Sequence, residues 1–136
     1  EGKLSKSRGE RITLEEVFTD CPPPALRFYL LGFHYRDFTP YSPEGLLEAC
    51  QEGERLGVNA VDCMVVEPTD PREDEETAPL VTKFEDALSD DLDTPRTLDV
   101  LRELDEIAGN RLKNKEDIGP ISGMYSIFQC VLGVFS

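Results

Sequence analysis

The sequence is poor in the residues and patterns that mark several common classes of protein. His34 is its only histidine, and its four cysteines form no C-x-x-C pair. We therefore predict no metal site and interpret the cysteines as reduced, mostly buried side chains. No apolar run approaches the roughly 20 residues of a membrane span, and the N-terminus shows no apolar secretory segment. These absences favour a cytoplasmic protein without a membrane span.

Basic residues are also scarce. Fourteen lysines and arginines stand against 28 aspartates and glutamates, which gives a net charge of −14. A free-standing nucleic-acid binder is usually basic, because contacts to phosphates supply much of its affinity. The sequence therefore predicts that any RNA contact comes from a local basic patch or from another domain.

The sequence does show start signals for helices and a helical periodicity of its apolar residues. Ser42 before Pro43 is typical of a helix start, with serine as the N-cap and proline at the first helical position. Apolar residues then recur every three or four positions through most of the chain. Residues 67–76, which are acidic and contain two prolines, are interpreted as a linker. The pattern predicts an all-α fold, in which an N-terminal loop precedes a bundle of about five or six helices.

Four local expectations follow from the same patterns. A helix is predicted from about residue 23 to residue 34, and Thr94 is predicted as the N-cap of a later helix. Gly53 and Gly57 are expected to allow close packing of their helix against a neighbour. The polar stretch 109–117 is predicted as a loop.

The segment K-L-S-K-S near the N-terminus carries candidate chemistry. Lys3 and Lys6 place two positive charges three residues apart, and Ser5 and Ser7 add hydroxyl donors. Ammonium groups balance the charge that develops on a leaving pyrophosphate, and hydroxyls donate to phosphate oxygens. By itself the pentamer also fits an ordinary solvated basic loop.

Other segments make the pattern more specific. Residues 2–9 resemble the K-M-S-K-S loop of class I aminoacyl-tRNA synthetases, with Leu4 in place of the methionine. Further stretches resemble cysteinyl-tRNA synthetases in particular and occur in the same order. They are I-T at 12–13, A-L-R-F-Y-L-L at 25–31, H-Y-R at 34–36, D-D-L-D-T-P at 90–95 and V-L-G at 131–133.

The resemblance implies a part in the ATP-dependent ligation of cysteine to tRNA(Cys). Lys3 and Lys6 would position the ATP phosphates, with Mg as the ATP counter-ion, and Ser5 and Ser7 would support the loop. Zinc is expected only in an upstream half, which carries the H-I-G-H motif in that family. Glu10 stands where the family commonly has asparagine.

The resemblance also implies a division of the chain. Residues 1–41 would end the catalytic region, and residues 42–136 would form a helical domain that faces tRNA. Because the H-I-G-H motif is absent, this chain alone is expected to be inactive. Two alternatives stay open: the related cysteine ligase of mycothiol synthesis, which uses an amino-sugar acceptor, and a non-catalytic helical module that binds partners.

Several charged residues have a structural interpretation beside the functional one. Arg27 and Arg36 are the candidates for contacts to tRNA phosphates, with ion pairs to the protein's own acids as the alternative. His34 is interpreted as a structural residue at a helix end. The acidic run at 90–93 is interpreted as a helix cap, without a bound cation.

Overall fold

The computed structural model describes residues 19, 21–37 and 41–135. These ranges contain no β-strand, so the predicted all-α fold is confirmed for the described part of the chain. The predicted phosphate-binding loop at residues 3–7 lies outside the described residues. The elements are α1 (Pro23–Leu31), α2 (Pro43–Met64), a 3-10 helix (Pro71–Glu73), α3 (Ala78–Ser89), α4 (Thr94–Asn114) and α5 (Gly119–Leu132).

The helix starts follow local sequence rules, with one shift. The Ser42 hydroxyl accepts a hydrogen bond from the Gly45 amide at 3.0 Å, so the predicted cap of α2 is confirmed. The cap of α4 is Asp93, whose carboxylate accepts from the Arg96 amide at 3.3 Å. The prediction of Thr94 was wrong by one residue, because aspartate and threonine are both good caps and the sequence alone does not rank them.

The helix ends differ more from expectation. α1 ends at Leu31, three residues before the predicted position, and α4 runs on to Asn114 through most of the stretch that was predicted as a loop. Lys115, in the left-handed conformation with φ 57°, ends α4. The polar residues of this last turn do not break the helix, because Leu112 packs against the core and Arg111 makes buried ion pairs.

Helices α2 to α5 enclose one hydrophobic core. α5 contributes Ile121, Met124, Tyr125 and Phe128 to it, and all four are 0% exposed. Burying a large apolar side chain contributes about 1.5–3 kcal/mol. The other helices supply Leu56, Ala60 and Cys63 from α2, Leu80, Val81 and Phe84 from α3, and Leu98, Leu101 and Leu104 from α4.

Gly53 and Gly57 of α2 do not have the predicted packing role. A Cβ atom added at Gly53 or at Gly57 would meet no other atom within 4 Å. The expectation that these glycines allow a neighbouring helix to approach closely was therefore wrong. α2 buries a different face, formed by Leu46, Leu56, Ala60 and Cys63.

The acidic segment between α2 and α3 is packed against the bundle. The Thr69 amide donates to the Gly119 carbonyl at 3.0 Å, and Pro71 is buried. The Thr77 hydroxyl donates to the Pro71 carbonyl at 2.6 Å. Residues 67–76 thus connect two helices, as a linker does, but they also cover the N-terminal end of α5.

α1 lies against α2 through a second, smaller apolar cluster of Cys21, Tyr29 and Leu46. The Ser42 amide donates to the Tyr29 hydroxyl at 3.1 Å, which joins α1 to the start of α2. Phe28, on the same helix, is buried in the main core. These contacts direct the residues that follow α1 toward the turn between α3 and α4.

Candidate functional site at the end of α1

The H-Y-R segment after α1 meets the acidic turn between α3 and α4. The Tyr35 hydroxyl donates to Asp91 Oδ1 at 2.7 Å, and Arg36 Nε lies 2.9 Å from Asp91 Oδ2. His34 Nε2 is 3.9 Å from the same carboxylate. One carboxylate is therefore shared by Tyr35 and Arg36, and it orients this segment.

The backbone of the acidic turn is strained at two residues. Asp91 and Leu92 both have positive φ, 55° and 54°, which costs a non-glycine residue roughly 1 kcal/mol or more. The turn is held closed by the Asp93 amide, which donates to the Ala87 carbonyl at 2.9 Å. The Thr94 hydroxyl donates to the Phe33 carbonyl at 3.3 Å, a second connection between this turn and the end of α1.

A separate contact joins α1 to the end of α5. Arg27 Nη1 donates to the Gly133 carbonyl at 2.9 Å. Gly133 ends α5 with φ 63°, a conformation that glycine adopts without strain, and the last carbonyls of a helix lack partners within it. Arg27 therefore satisfies a carbonyl at a helix C-terminus, where a positive charge is also favourable.

These contacts bring together stretches that lie far apart in the sequence. The stretch 25–31 contacts 131–133 through Arg27, and the stretch 34–36 contacts 90–95 through Asp91. Sequence reasoning recognised each stretch but missed the pairing, and it took Asp91 only for part of a cap. Opposite charge was the available signal, but with 28 acidic residues in the chain it did not single out a partner.

The site presents exposed positive charge on an otherwise acidic molecule. The described residues include ten lysines and arginines, of which seven form ion pairs with the chain's own carboxylates. Arg36 is one of these, yet its side chain is 68% exposed. Arg27 is exposed as well. Both guanidinium groups are thus held in position while part of each faces solvent, and a role in RNA contact stays a prediction for both.

The acidic run at 90–93 is engaged in internal contacts. Asp90 pairs with Arg96 at 2.9 Å, Asp91 pairs with Arg36, and Asp93 caps α4. In the ranges that the structure describes, no three His, Cys, Asp or Glu side chains are grouped to hold a metal ion. Those ranges also hold no helix with the length and apolar character to cross a membrane. The candidate catalytic residues Lys3, Ser5, Lys6 and Ser7 lie outside them.

No known family profile matches the chain. Individual curated proteins do match it. A cysteine–tRNA ligase of Parvibaculum lavamentivorans is 38% identical over 104 residues, which are 75% of this chain and 21% of that protein. A cysteine–tRNA ligase of Shewanella sp. strain MR-4 is 36% identical over 115 residues, 84% of this chain and 23% of the relative. The enzyme of Shewanella denitrificans is 34% identical over 123 residues, 90% of this chain and 25% of its own length.

The chain thus resembles one segment of the tRNA ligases, and it spans a quarter or less of the length of the relatives it matches. Among the tRNA ligases, the chain is related to the cysteine–tRNA ligases. The resemblance that the sequence motifs indicate is confirmed.

Proposed function

We propose that the protein is part of a cysteinyl-tRNA synthetase. In this proposal, the loop at residues 3–7 binds the phosphates of ATP and the helical bundle faces tRNA(Cys). The observation that carries the proposal is the similarity to cysteine–tRNA ligases over 75–90% of the chain. The whole protein would act in the cytoplasm, with cysteine and tRNA(Cys) as its substrates.

The loop has a donor set that suits phosphate. Lys3 and Lys6 offer two ammonium groups, Ser5 and Ser7 offer two hydroxyls, and the pentamer itself contains no carboxylate. ATP, with Mg as its counter-ion, supplies the activation of the cysteine carboxyl group. The lysines hold the leaving pyrophosphate, with Lys6 as the transition-state contact. In this proposal, the zinc that selects cysteine is held by an upstream half of the full-length protein.

The contacts around α1 in the helical part support this role. α1 follows the loop segment in the chain, and it is attached to α2 by Tyr29 and to α5 by Arg27. The segment after α1 is attached to the α3–α4 turn by Tyr35, which donates to Asp91. Elements held at several points keep a functional group within narrow geometric limits. Arg36 and Arg27 are the residues proposed to contact tRNA phosphates.

The test uses the full-length protein that contains this chain, in cysteine-dependent ATP–pyrophosphate exchange. Replacing Lys6 by alanine should lower kcat by about 100-fold or more, since it removes a charge that acts on the transition state. Lys113→Ala, at an exposed lysine of α4, is the matched control and should leave exchange unchanged. Equal activities for the two variants would contradict the proposed role of the loop.

The acceptor separates the leading proposal from its alternative. The same protein is given tRNA(Cys) or the glucosaminyl-inositol acceptor of mycothiol synthesis, and transfer of labelled cysteine is measured. We expect transfer to tRNA. Arg36→Ala should raise the KM for tRNA. Arg72→Ala, at an ion-paired arginine that is 56% exposed against 68% for Arg36, should not. Transfer to the amino sugar alone would overturn the assignment, and absence of both exchange and transfer would favour a non-catalytic module.

A further inference from the structure

Two of the four cysteines lie in direct contact. Cys21, just before α1, and Cys50, in the middle of α2, have their sulfur atoms 2.9 Å apart. Both are free thiols. They are 29 residues apart in the sequence, so the contact results from the packing of α1 against α2. Cys21 is 2% exposed, within the small apolar cluster that also contains Tyr29 and Leu46.

The other two cysteines have different surroundings. Cys63 is 0% exposed in the main core, and Cys130 is exposed on α5. Neither is recorded in contact with another sulfur. A disulfide needs its sulfur atoms about 2.05 Å apart, so Cys21 and Cys50 need to approach by only roughly 0.9 Å. The packed structure therefore favours a bond between this pair over any other combination of the four cysteines.

We propose that Cys21 and Cys50 form a reversible dithiol–disulfide pair that reacts with low-molecular-weight disulfides such as glutathione disulfide. The reaction begins at Cys50, which is only partly buried, whereas Cys21 is shielded. The Cys50 thiolate attacks one sulfur of glutathione disulfide, which forms a mixed disulfide and releases one glutathione thiolate.

Cys21 completes the reaction. Its thiolate attacks the Cys50 sulfur of the mixed disulfide, which forms the Cys21–Cys50 bond and releases the second glutathione. The two protons lost by the cysteines end on the two glutathione thiolates. The pair is thus oxidised by two electrons and one glutathione disulfide is reduced to two glutathiones.

The order of the two steps has a consequence for the rate. Burial, together with the hydrogen bond and the nearby charge of Cys50, raises the pKa of Cys21 to about 12. In the mixed disulfide Cys50 carries neither a thiol nor a charge, so only burial still raises the pKa of Cys21 in the second step. Because only the thiolate attacks, closure of the bond becomes faster as the pH rises. The bond would fasten the start of α1 to α2. An effect of this bond on the loop at residues 3–7 rests on the proposed function. Formation of the bond does not rest on it.

The experiment treats the chain with glutathione disulfide at several pH values, stops the reaction with acid, blocks the free thiols and maps the peptides by mass spectrometry. We expect a cross-linked peptide pair joining Cys21 and Cys50, with Cys63 and Cys130 still carrying the blocking group. The cross-link should form faster at higher pH and disappear on treatment with dithiothreitol.

Variants test the order of attack. In Cys21→Ser the second step is impossible, so Cys50 should retain one glutathione. Cys63→Ser, the control in the main core, should form the cross-link as the unsubstituted chain does. Far-ultraviolet circular dichroism of each variant checks that the helices are intact. Stable glutathione on Cys50 of the unsubstituted chain with Cys21 free, or a cross-link to Cys130 in its place, would overturn the proposal.

Discussion

Arg111 is a charged residue of α4 that the fold buries, with 8% of its surface exposed. Its guanidinium donates to Asp74 Oδ2 and to Glu76 Oε1, both at 2.8 Å, and to the Asp117 carbonyl at 2.9 Å. These three bonds join α4 to the segment before α3 and to the turn before α5. A buried cation is tolerated when all its donors have acceptors in this way. Removal of the cation leaves its carboxylate partners without a compensating charge.

We expect Arg111→Ala to lower the free energy of unfolding by about 3 kcal/mol, at the lower end for a broken buried ion pair. We use the lower end of that range because the Glu76 side chain is 52% exposed, so water solvates its carboxylate once Arg111 is removed. Urea denaturation measures the change. Arg72→Ala is the control: Arg72 pairs with Glu85 at the surface, and its loss should cost less than about 1 kcal/mol. Similar losses for both variants would contradict a special role of Arg111.

Asp74 makes stability depend on pH. Burial alone would raise its pKa, but hydrogen bonds from Arg111 and from the backbone amides of Thr77 and Glu76 outweigh it and hold the pKa of Asp74 below its ordinary value. The unfolded chain, in which an aspartate titrates near pH 3.9, therefore binds this proton more readily. The contribution is fully present above that pH and is lost as the pH falls through the lower, folded pKa.

The free energy of unfolding should accordingly fall as the pH is lowered below about 4. In Asp74→Asn it should be smaller at neutral pH and fall less steeply in acid, since one coupled carboxylate is gone. Urea denaturation at a series of pH values measures this. Asp62→Asn, at an exposed position of α2, should keep the slope of the unsubstituted chain. An unchanged slope in Asp74→Asn would show that other carboxylates dominate.

At the scale of elements, α5 is notable because a neighbouring loop lies directly on its backbone. A Cβ atom added at Gly123 would collide with the Thr69 carbonyl and lie 3.1 Å from Pro71 Cδ. This glycine is therefore required by the close approach of the segment that leads into the 3-10 helix. Gly57, in the middle of α2, has no such neighbour within 4 Å.

The two glycines predict opposite effects of the same substitution. Gly123→Ala should destabilise the protein by about 1–3 kcal/mol, because the loop or the helix must move. Gly57→Ala should stabilise it by about 0.5–1 kcal/mol, because alanine loses less backbone entropy in a helix. Thermal unfolding of both variants measures the difference. A stabilised Gly123→Ala chain would mean that the loop does not pack on α5 in solution.

At the scale of the whole molecule, charge limits what the chain binds by itself. Its net charge is −14, and most of the described arginines and lysines are used within the fold. A polyanion such as tRNA is repelled by such a surface at a distance, and only local positive groups such as Arg36 oppose this. The chain by itself is therefore expected to have little affinity for RNA.

We expect the 136-residue chain to show no saturable binding to tRNA(Cys) at about 0.15 M salt, as measured by fluorescence anisotropy with labelled tRNA. The full-length protein that contains it is the positive control. Tight binding by the chain alone, with an affinity that falls steeply as salt is added, would instead reveal a basic patch that outweighs the net charge.

Much of the candidate site could be recognised in the sequence, but its geometry could not. The stretches at 25–36, 90–95 and 131–133 were identified as residue patterns, and the comparisons confirm the family that they indicate. That Arg36 pairs with Asp91 was not predictable from those patterns. The partner lies 55 positions further along the chain, and only the packing of α1 beside the α3–α4 turn selects it from many acids.

The sequence by itself determined the helical class, the start of α2 and the helical periodicity of the apolar residues. Caps and periodicity act within one or two turns of chain, so they can be read locally. The tertiary structure alone decided how far α4 runs, where Arg111 finds its carboxylates, and that Cys21 meets Cys50. Each of these depends on which helices become neighbours, and that is set by burial of the whole core rather than by any short stretch of residues.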